Sequence, residues 1–249
     1  MRKSLLLSLA VILSISTFAQ ENSKADKKKI IKEQAGRPDI PGDLMLDFGV
    51  ALLQDQPANW DHNVWGSKFF NAYYLYETNI GTSNFSFHPG IGIGTEKYSL
   101  NGNMALRDSI GADLTLLDSL PTMSGFENAT SFSKSKLEVI YVDIPMEIRW
   151  RSLKYEPKRS VKVAIGGKFG FRIDSKMKVK FDEDGQTKVR KSKEKYNLNS
   201  IRYGAYAKIG YSSFNFYYYY SFSKLFQDGR GPDGTEAYPM QVGISFSLF

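Results

Sequence analysis

The chain has 249 residues, no cysteine and a formal net charge of +7, with 33 Lys and Arg against 26 Asp and Glu. Without cysteine, disulfide scaffolds, thiolate metal sites and a lipidated N-terminal anchor are excluded. A mean hydropathy of −0.35 beside 15 Tyr and 17 Phe fits extended segments in which only every second residue meets apolar surroundings.

At the N-terminus, Arg2 and Lys3 precede an apolar run from Leu5 to Ile15, and Thr17-Phe18-Ala19 supplies small residues at a cleavage site. This predicts a secretory signal peptide over residues 1–19. Residues 20–42 are charged, carry Pro38 and Pro41, and show no sustained periodicity, so they are expected to form a largely disordered periplasmic arm. No later segment reaches the ~20 consecutive apolar residues of a membrane helix. The exported chain is therefore soluble or crosses a membrane with strands.

Residues 43–249 hold eight runs with a period of two. The first, Asp43 to Leu53, places Leu44, Leu46, Phe48, Val50 and Leu52 on one face. Lys68 to Thr78 gives Phe70, Ala72, Tyr74 and Tyr76, and Asn84 to Tyr98 gives Phe85, Phe87, Pro89, Ile91 and Ile93. Lys136 to Trp150 shows Ile140, Val142, Ile144, Met146 and Ile148. Ser160 to Val179 shows Val161, Val163, Ile165, Phe169, Phe171 and Ile173. The sixth run is marked by Ile201, Tyr203, Ala205, Ala207 and Ile209, and the seventh by Phe214, Phe216, Tyr218, Tyr220 and Phe222. The last, Pro239 to Phe249, sets Met240, Val242, Ile244, Phe246 and Leu248 against Gln241, Gly243, Ser245 and Ser247. A sticky edge of that kind is hazardous in water, but it suits a strand that closes a barrel in lipid.

The connections alternate in length. Gln54 to Ser67, Ser99 to Ser135, the stretch around Asp182 to Gly185, and Gln227 to Ala237 are long. Asn79 to Thr82, Arg151 to Arg159 and Tyr211 to Ser213 are shorter. Long outer loops and tight periplasmic turns are the mark of outer-membrane barrels. The expected fold is all-β: an eight-stranded antiparallel up-and-down transmembrane β-barrel in the Gram-negative outer membrane, with both termini periplasmic. Trp60, Trp65 and Trp150, with the tyrosines of the second and seventh runs, are expected to form interfacial girdles.

The opposite faces then point into the lumen. They carry the acids Asp47, Glu77, Glu96, Asp143 and Glu147 and the bases Arg149, Lys162, Lys168, Arg172, Arg202 and Lys208. An eight-stranded barrel is just wide enough to be filled by side chains, and buried charges require partners. A charge-paired plug is expected, with acids and bases segregated by half of the barrel. Inward Gly90, Gly92, Gly94, Gly166 and Gly170 suit close approach and curvature.

Catalytic, cofactor and metal residues are predicted to be none. Ser86, His88 and Glu96 share a face, but ten residues at about 3.3 Å each separate the outer two by more than 30 Å. His62 lies in a loop, and Gly-Ile-Gly-Ile-Gly from position 90 lacks the helix of a phosphate loop. Asp228 to Gly234 lacks the acidic spacing of a calcium loop. The basic stretch Lys176 to Lys195 reads as a hairpin above the membrane whose Lys188, Arg190 and Lys191 meet lipopolysaccharide phosphates. No nucleic-acid partner is expected for an exported chain.

Two short motifs carry a resemblance. Gln241-x-Gly243-x-x-Phe246-x-Leu248 resembles the terminal-strand signal read by barrel-insertion machinery. Tyr141-Val-Asp143-Ile-Pro145-Met-Glu-Ile148 resembles a strand of the PorT-like outer-membrane β-barrel family, with Asp143 where the family has Glu, and Asp47-Phe48-Gly49 is similar as well. The resemblance implies the family fold and carries over no functional residue. Its members include a component of a protein-secretion apparatus, which implies secretion or envelope proteins as partners. The function expected is a structural or interaction scaffold in envelope assembly or protein secretion, not an enzyme. A small transport or ligand-binding barrel is the alternative.

Overall fold

The period of two is realised as strands that pair in a ring. The computed structural model describes residues 42–57, 60, 63–100, 103–109, 113–153, 156 and 159–248. The expected signal peptide, all but the last residue of the expected arm, His62 and Phe249 lie outside the described residues.

In chain order the strands are β1 (Asp43–Gln54), β2 (Lys68–Leu75), β3 (Thr78–Asn79), β4 (Phe85–Leu100), β5 (Met104–Asp108), β6 (Thr115–Ser119), β7 (Ala129–Arg151), β8 (Val161–Glu183), β9 (Gln186–Ser192), β10 (Ile201–Tyr211), β11 (Phe214–Ser221) and β12 (Tyr238–Ser247). Eight of them close an antiparallel barrel: β1, β2, β4, β7, β8, β10, β11 and β12. The seam pairs β12 with β1 from Met45 opposite Ser247 to Gln54 opposite Tyr238, which leaves neither strand as an open edge.

Side chains fall on the faces read from the sequence. Phe48, Phe70, Ile91, Ile144, Ile165, Phe216 and Ile244 are exposed on the outer wall, whereas Asp47, Asn71, Glu96, Asp143, Lys168, Tyr217 and Gln241 are buried inside. An exposed apolar wall around a polar interior inverts the arrangement of a soluble domain and matches a strand wetted by hydrocarbon on one side.

Several boundaries differ from expectation. β7 and β8 are each 23 residues long, about twice the ~9–11 residues needed to cross a bilayer. Their upper halves run on above the other strands, where β9 extends the sheet. A shift between Ile140 and Tyr141, opposite Asp174 and Arg172, interrupts their ladder. The long connection after β4 is partly structured, since β5 and β6 pair as a hairpin within it. At the other end, Arg151 ends β7 as a buried strand residue rather than opening the turn.

Candidate functional site

The lumen is filled in tiers. Nearest the tight turns, Arg151 holds Glu77 with two parallel bonds of 2.7 and 2.8 Å, the bidentate geometry that suits a guanidinium. Arg149 reaches Asp43 at 2.6 Å and Glu147 at 2.5 Å. In the next tier the Lys208 ammonium lies 3.4 Å from Glu147 and 3.6 Å from Asp47, with the Tyr206 and Tyr217 rings 5.1 and 5.6 Å away.

The third tier is centred on Arg202. Its guanidinium donates to Asp143 at 3.0 and 2.5 Å and to Glu96 at 2.7 Å, and stacks 3.8 Å over the Tyr141 ring. The Tyr73 hydroxyl donates to Asp143 at 2.7 Å, and the Tyr98 hydroxyl to Glu96 at the same distance. Gln241 donates its amide to Glu96 at 2.5 Å. Through its oxygen it accepts from Asn71 at 3.2 Å and Lys168 at 3.3 Å. The Lys168 ammonium also sits 3.8 Å over the Tyr219 ring. Strand geometry explains this convergence: inward residues recur every second position, and the narrow ring brings β4, β7, β10 and β12 within one side-chain length of each other.

Above the charged tiers the lining turns apolar. Tyr98, Leu137, Val139 and Met177 from the strands meet Leu198, Leu225, Phe226 and Ala237 from the loops. Trp60 packs edge-on against Phe226 at 6.2 Å. Further out, Phe126 from the connection after β6 packs against Phe181 at 5.0 Å. Trp60 is thus a buried cap residue and not part of an interfacial girdle, because its ring packs into the apolar cluster at the barrel mouth. Trp65, 86% exposed, and Trp150, on the outer face of β7, stay on the surface.

Most of the predicted lumen charges come together: Asp47, Glu77, Glu96, Asp143, Glu147, Arg149, Lys168, Arg202 and Lys208. Lys162 is buried in the lumen wall. Arg172 departs from the expectation, since it donates to the carbonyls of Asn199 and Leu198, both at 3.2 Å, and so ties down the segment before β10. Asp43 and Arg151 were missed, one as the first residue of a strand and the other as a turn. Acids and bases also interleave more than expected, as Arg149 and Arg151 share β7 with Asp143 and Glu147.

Ser86 and His88 do meet, at 2.8 Å, but Glu96 is held elsewhere by Arg202, Tyr98 and Gln241. Asp43, Glu77 and His88 offer ligand atoms within 4.8 Å of one another. Both carboxylates, however, already carry an arginine, so their charge is compensated without a cation. In the basic hairpin, Arg190 bonds back to the chain, donating to the carbonyls of Ser124 at 3.3 Å and Gly125 at 2.9 Å and lying over Phe126. Lys188 pairs with Glu183 at 3.0 Å.

Residues 58–227 match the family described as "Outer membrane protein beta-barrel domain". The chain belongs to that family. The barrel of this outer-membrane protein extends past the matched range at both ends, since all of β1 and all of β12 lie outside it. Curated proteins give no match. Among solved structures, the crystal structure of Ail, the attachment invasion locus protein of Yersinia pestis, is similar at 16% identity, over 83% of this chain and 97% of that one. The TM-score of 0.32 is too low to carry any residue across.

Proposed function

We propose that this outer-membrane barrel is a sealed, non-catalytic scaffold whose exposed loops and wall are its working surfaces, in envelope assembly or protein secretion. The long loops face the cell exterior and the tight turns and termini face the periplasm. The observation that carries the reading is the interlocked lumen. Arg149, Arg151, Arg202 and Lys208 with their carboxylates fill the ring in successive tiers, Lys168 joins them through Gln241, and an apolar cap covers the mouth. A path for ions or solutes would need several mutually bonded charges to separate at once. The motif around Asp143 and Pro145 and the terminal strand with Gln241, Gly243, Phe246 and Leu248 support a PorT-like barrel delivered by the insertion machinery.

Planar-bilayer recording of the purified protein tests this directly. No discrete conductance is expected, and long-lived, voltage-stable channels would overturn the sealed reading. Crosslinking in native membranes followed by co-purification tests the scaffold role. Envelope or secretion proteins are expected to be recovered on the loops, and recovery of the barrel alone would remove that role.

A further inference from the structure

On the outer wall, just above the apolar belt, lysines face each other across neighbouring strands. Lys68 on β2 is directly opposite Lys97 on β4. Lys136 on β7 is opposite Lys178 on β8, which is in turn opposite Lys191 on β9. One step higher, Lys134 is opposite Lys180. Like charges directly opposite on one sheet face destabilise it. Within the row Glu138 offsets only part of the charge, lying 3.7 Å from Lys97 and 3.5 Å from Lys176.

The row also has depth. An open recess of about 390 Å³ is lined by Lys68, Lys134, Lys136, Asn63, Ser99 and Trp65. The Lys136 ammonium is fixed at its floor by donation to the Gly66 carbonyl at 2.8 Å, and the exposed Trp65 stands at its rim. An indole beside ammonium groups, one pleat above a hydrocarbon-facing wall, is the chemistry of a headgroup contact.

We infer that this lysine row and its recess dock the phosphates of the phosphorylated glycolipid of the outer leaflet, the lipid A headgroup of lipopolysaccharide. The inference rests on the proposed orientation, which puts the long-loop end in that leaflet. It relocates the expected contact from the hairpin tip to the barrel wall, because Arg190 and Lys188 are engaged within the protein while Lys68 and Lys178 lie open on the outer face.

Native mass spectrometry of the detergent-solubilised full chain, titrated with purified lipid A, tests it. The wild-type protein is expected to retain lipid A and to lose it when both phosphates are removed from the glycolipid. The triple variant Lys68→Gln, Lys136→Gln, Lys178→Gln should bind about fivefold more weakly for each lysine lost, while Arg159→Gln at the tight-turn end should bind as wild type. Heat-modified migration on gels reports whether the variant has folded, and the comparison of phosphorylated with phosphate-free lipid A needs no variant. Equal retention of both lipids, or a folded triple variant that binds as wild type, would overturn the inference and leave the sealed-barrel reading to its conductance test. Proteolysis of the long loops only from the periplasmic side would instead overturn the orientation.

Discussion

Replacing Arg202 with methionine should destabilise the barrel strongly. The side chain is 3% exposed and makes three bonds, at 3.0 and 2.5 Å to Asp143 and 2.7 Å to Glu96. Summed at about 1.5–3 kcal/mol each, these bonds overstate the loss, because neither carboxylate is left bare. Asp143 keeps the Tyr73 hydroxyl, and Glu96 keeps the Tyr98 hydroxyl and the Gln241 amide. Removal of one member of a buried ionic group costs about 3–5 kcal/mol, and the retained donors place Arg202→Met near about 4. With a urea slope of about 2 kcal/mol per M, the unfolding midpoint of the barrel in lipid vesicles should fall by about 2 M. Adding Asp143→Asn and Glu96→Gln to Arg202→Met should restore most of the loss, since the penalty comes from stranded charge and not from missing volume. A fall worth less than about 1 kcal/mol, the size expected of an exposed pair such as Lys193 with Asp174, would refute the network as a cooperative unit. Failure of the neutralised triple to recover would do the same.

Other consequences are independent of that test. A Cβ at Gly94 would collide with the Arg202 guanidinium and the Asp143 carboxylate, so Gly94→Ala should lower stability by about 1–3 kcal/mol. Gly167→Ala, whose nearest neighbour would be 3.7 Å away, should be tolerated in the same urea titration. Ile144→Lys on the apolar belt should cost about 2–4 kcal/mol in lipid, whereas Val189→Lys on the β9 hairpin should cost less than about 1 kcal/mol, the size of its like-charge opposition to Lys180, although both side chains are comparably exposed. Equal penalties would mean that the hairpin lies in the membrane. Burial pushes the Tyr196 phenol up to about 12 from 10.0, and its hydroxyl donates to the Ser192 carbonyl at 3.0 Å. The folded protein therefore holds this proton more tightly than the unfolded chain. Its contribution is complete below pH 10 and is lost as pH rises towards 12. The tyrosinate absorbance missing from Tyr196→Phe should titrate in that window, and a midpoint near 10 would count against a closed cap.

The faces of the strands were legible because alternation in a sequence maps directly onto the two sides of a wall. Leu44 to Leu52 on β1 and Ile140 to Ile148 on β7 needed no tertiary information. Height along the barrel axis was not legible, because alternation says which side a residue takes and not which tier it joins. Asp43 and Arg151 become lumen partners only once the register places β1 beside β2 and β4 beside β7. The cap was missed because Trp60, Leu225 and Phe226 come from connections with no periodicity. A signal for it does exist. Along β7 the inward residues change from Arg149, Glu147 and Asp143 to Val139 and Leu137, and along β4 from Gly94 and Glu96 to Tyr98 and Leu100. An inward face that turns apolar partway along a strand marks the level at which the lumen leaves the membrane and must be closed against water.

That switch explains why one barrel carries two kinds of interior. Above the membrane, burial from water drives association, so Trp60, Phe126, Phe181 and Phe226 form an ordinary apolar core. Within the bilayer, hydrocarbon wets the outer wall, and an apolar lumen would make the two faces of every strand equivalent. A slip of one residue would then cost little, because it exchanges the faces of a whole strand. With Asp47, Glu96, Asp143, Glu147 and Arg202 inside, the same slip would drive charges into lipid and leave their partners unpaired. Each tier also spans distant strands: Arg202 on β10 joins Glu96 on β4 and Asp143 on β7, while Lys208 on β10 joins Asp47 on β1. The ionic network therefore fixes register and closure together, a role that the modest net stability of buried ion pairs does not diminish. The filled lumen follows from that requirement, since the charges that specify the ring also occupy it.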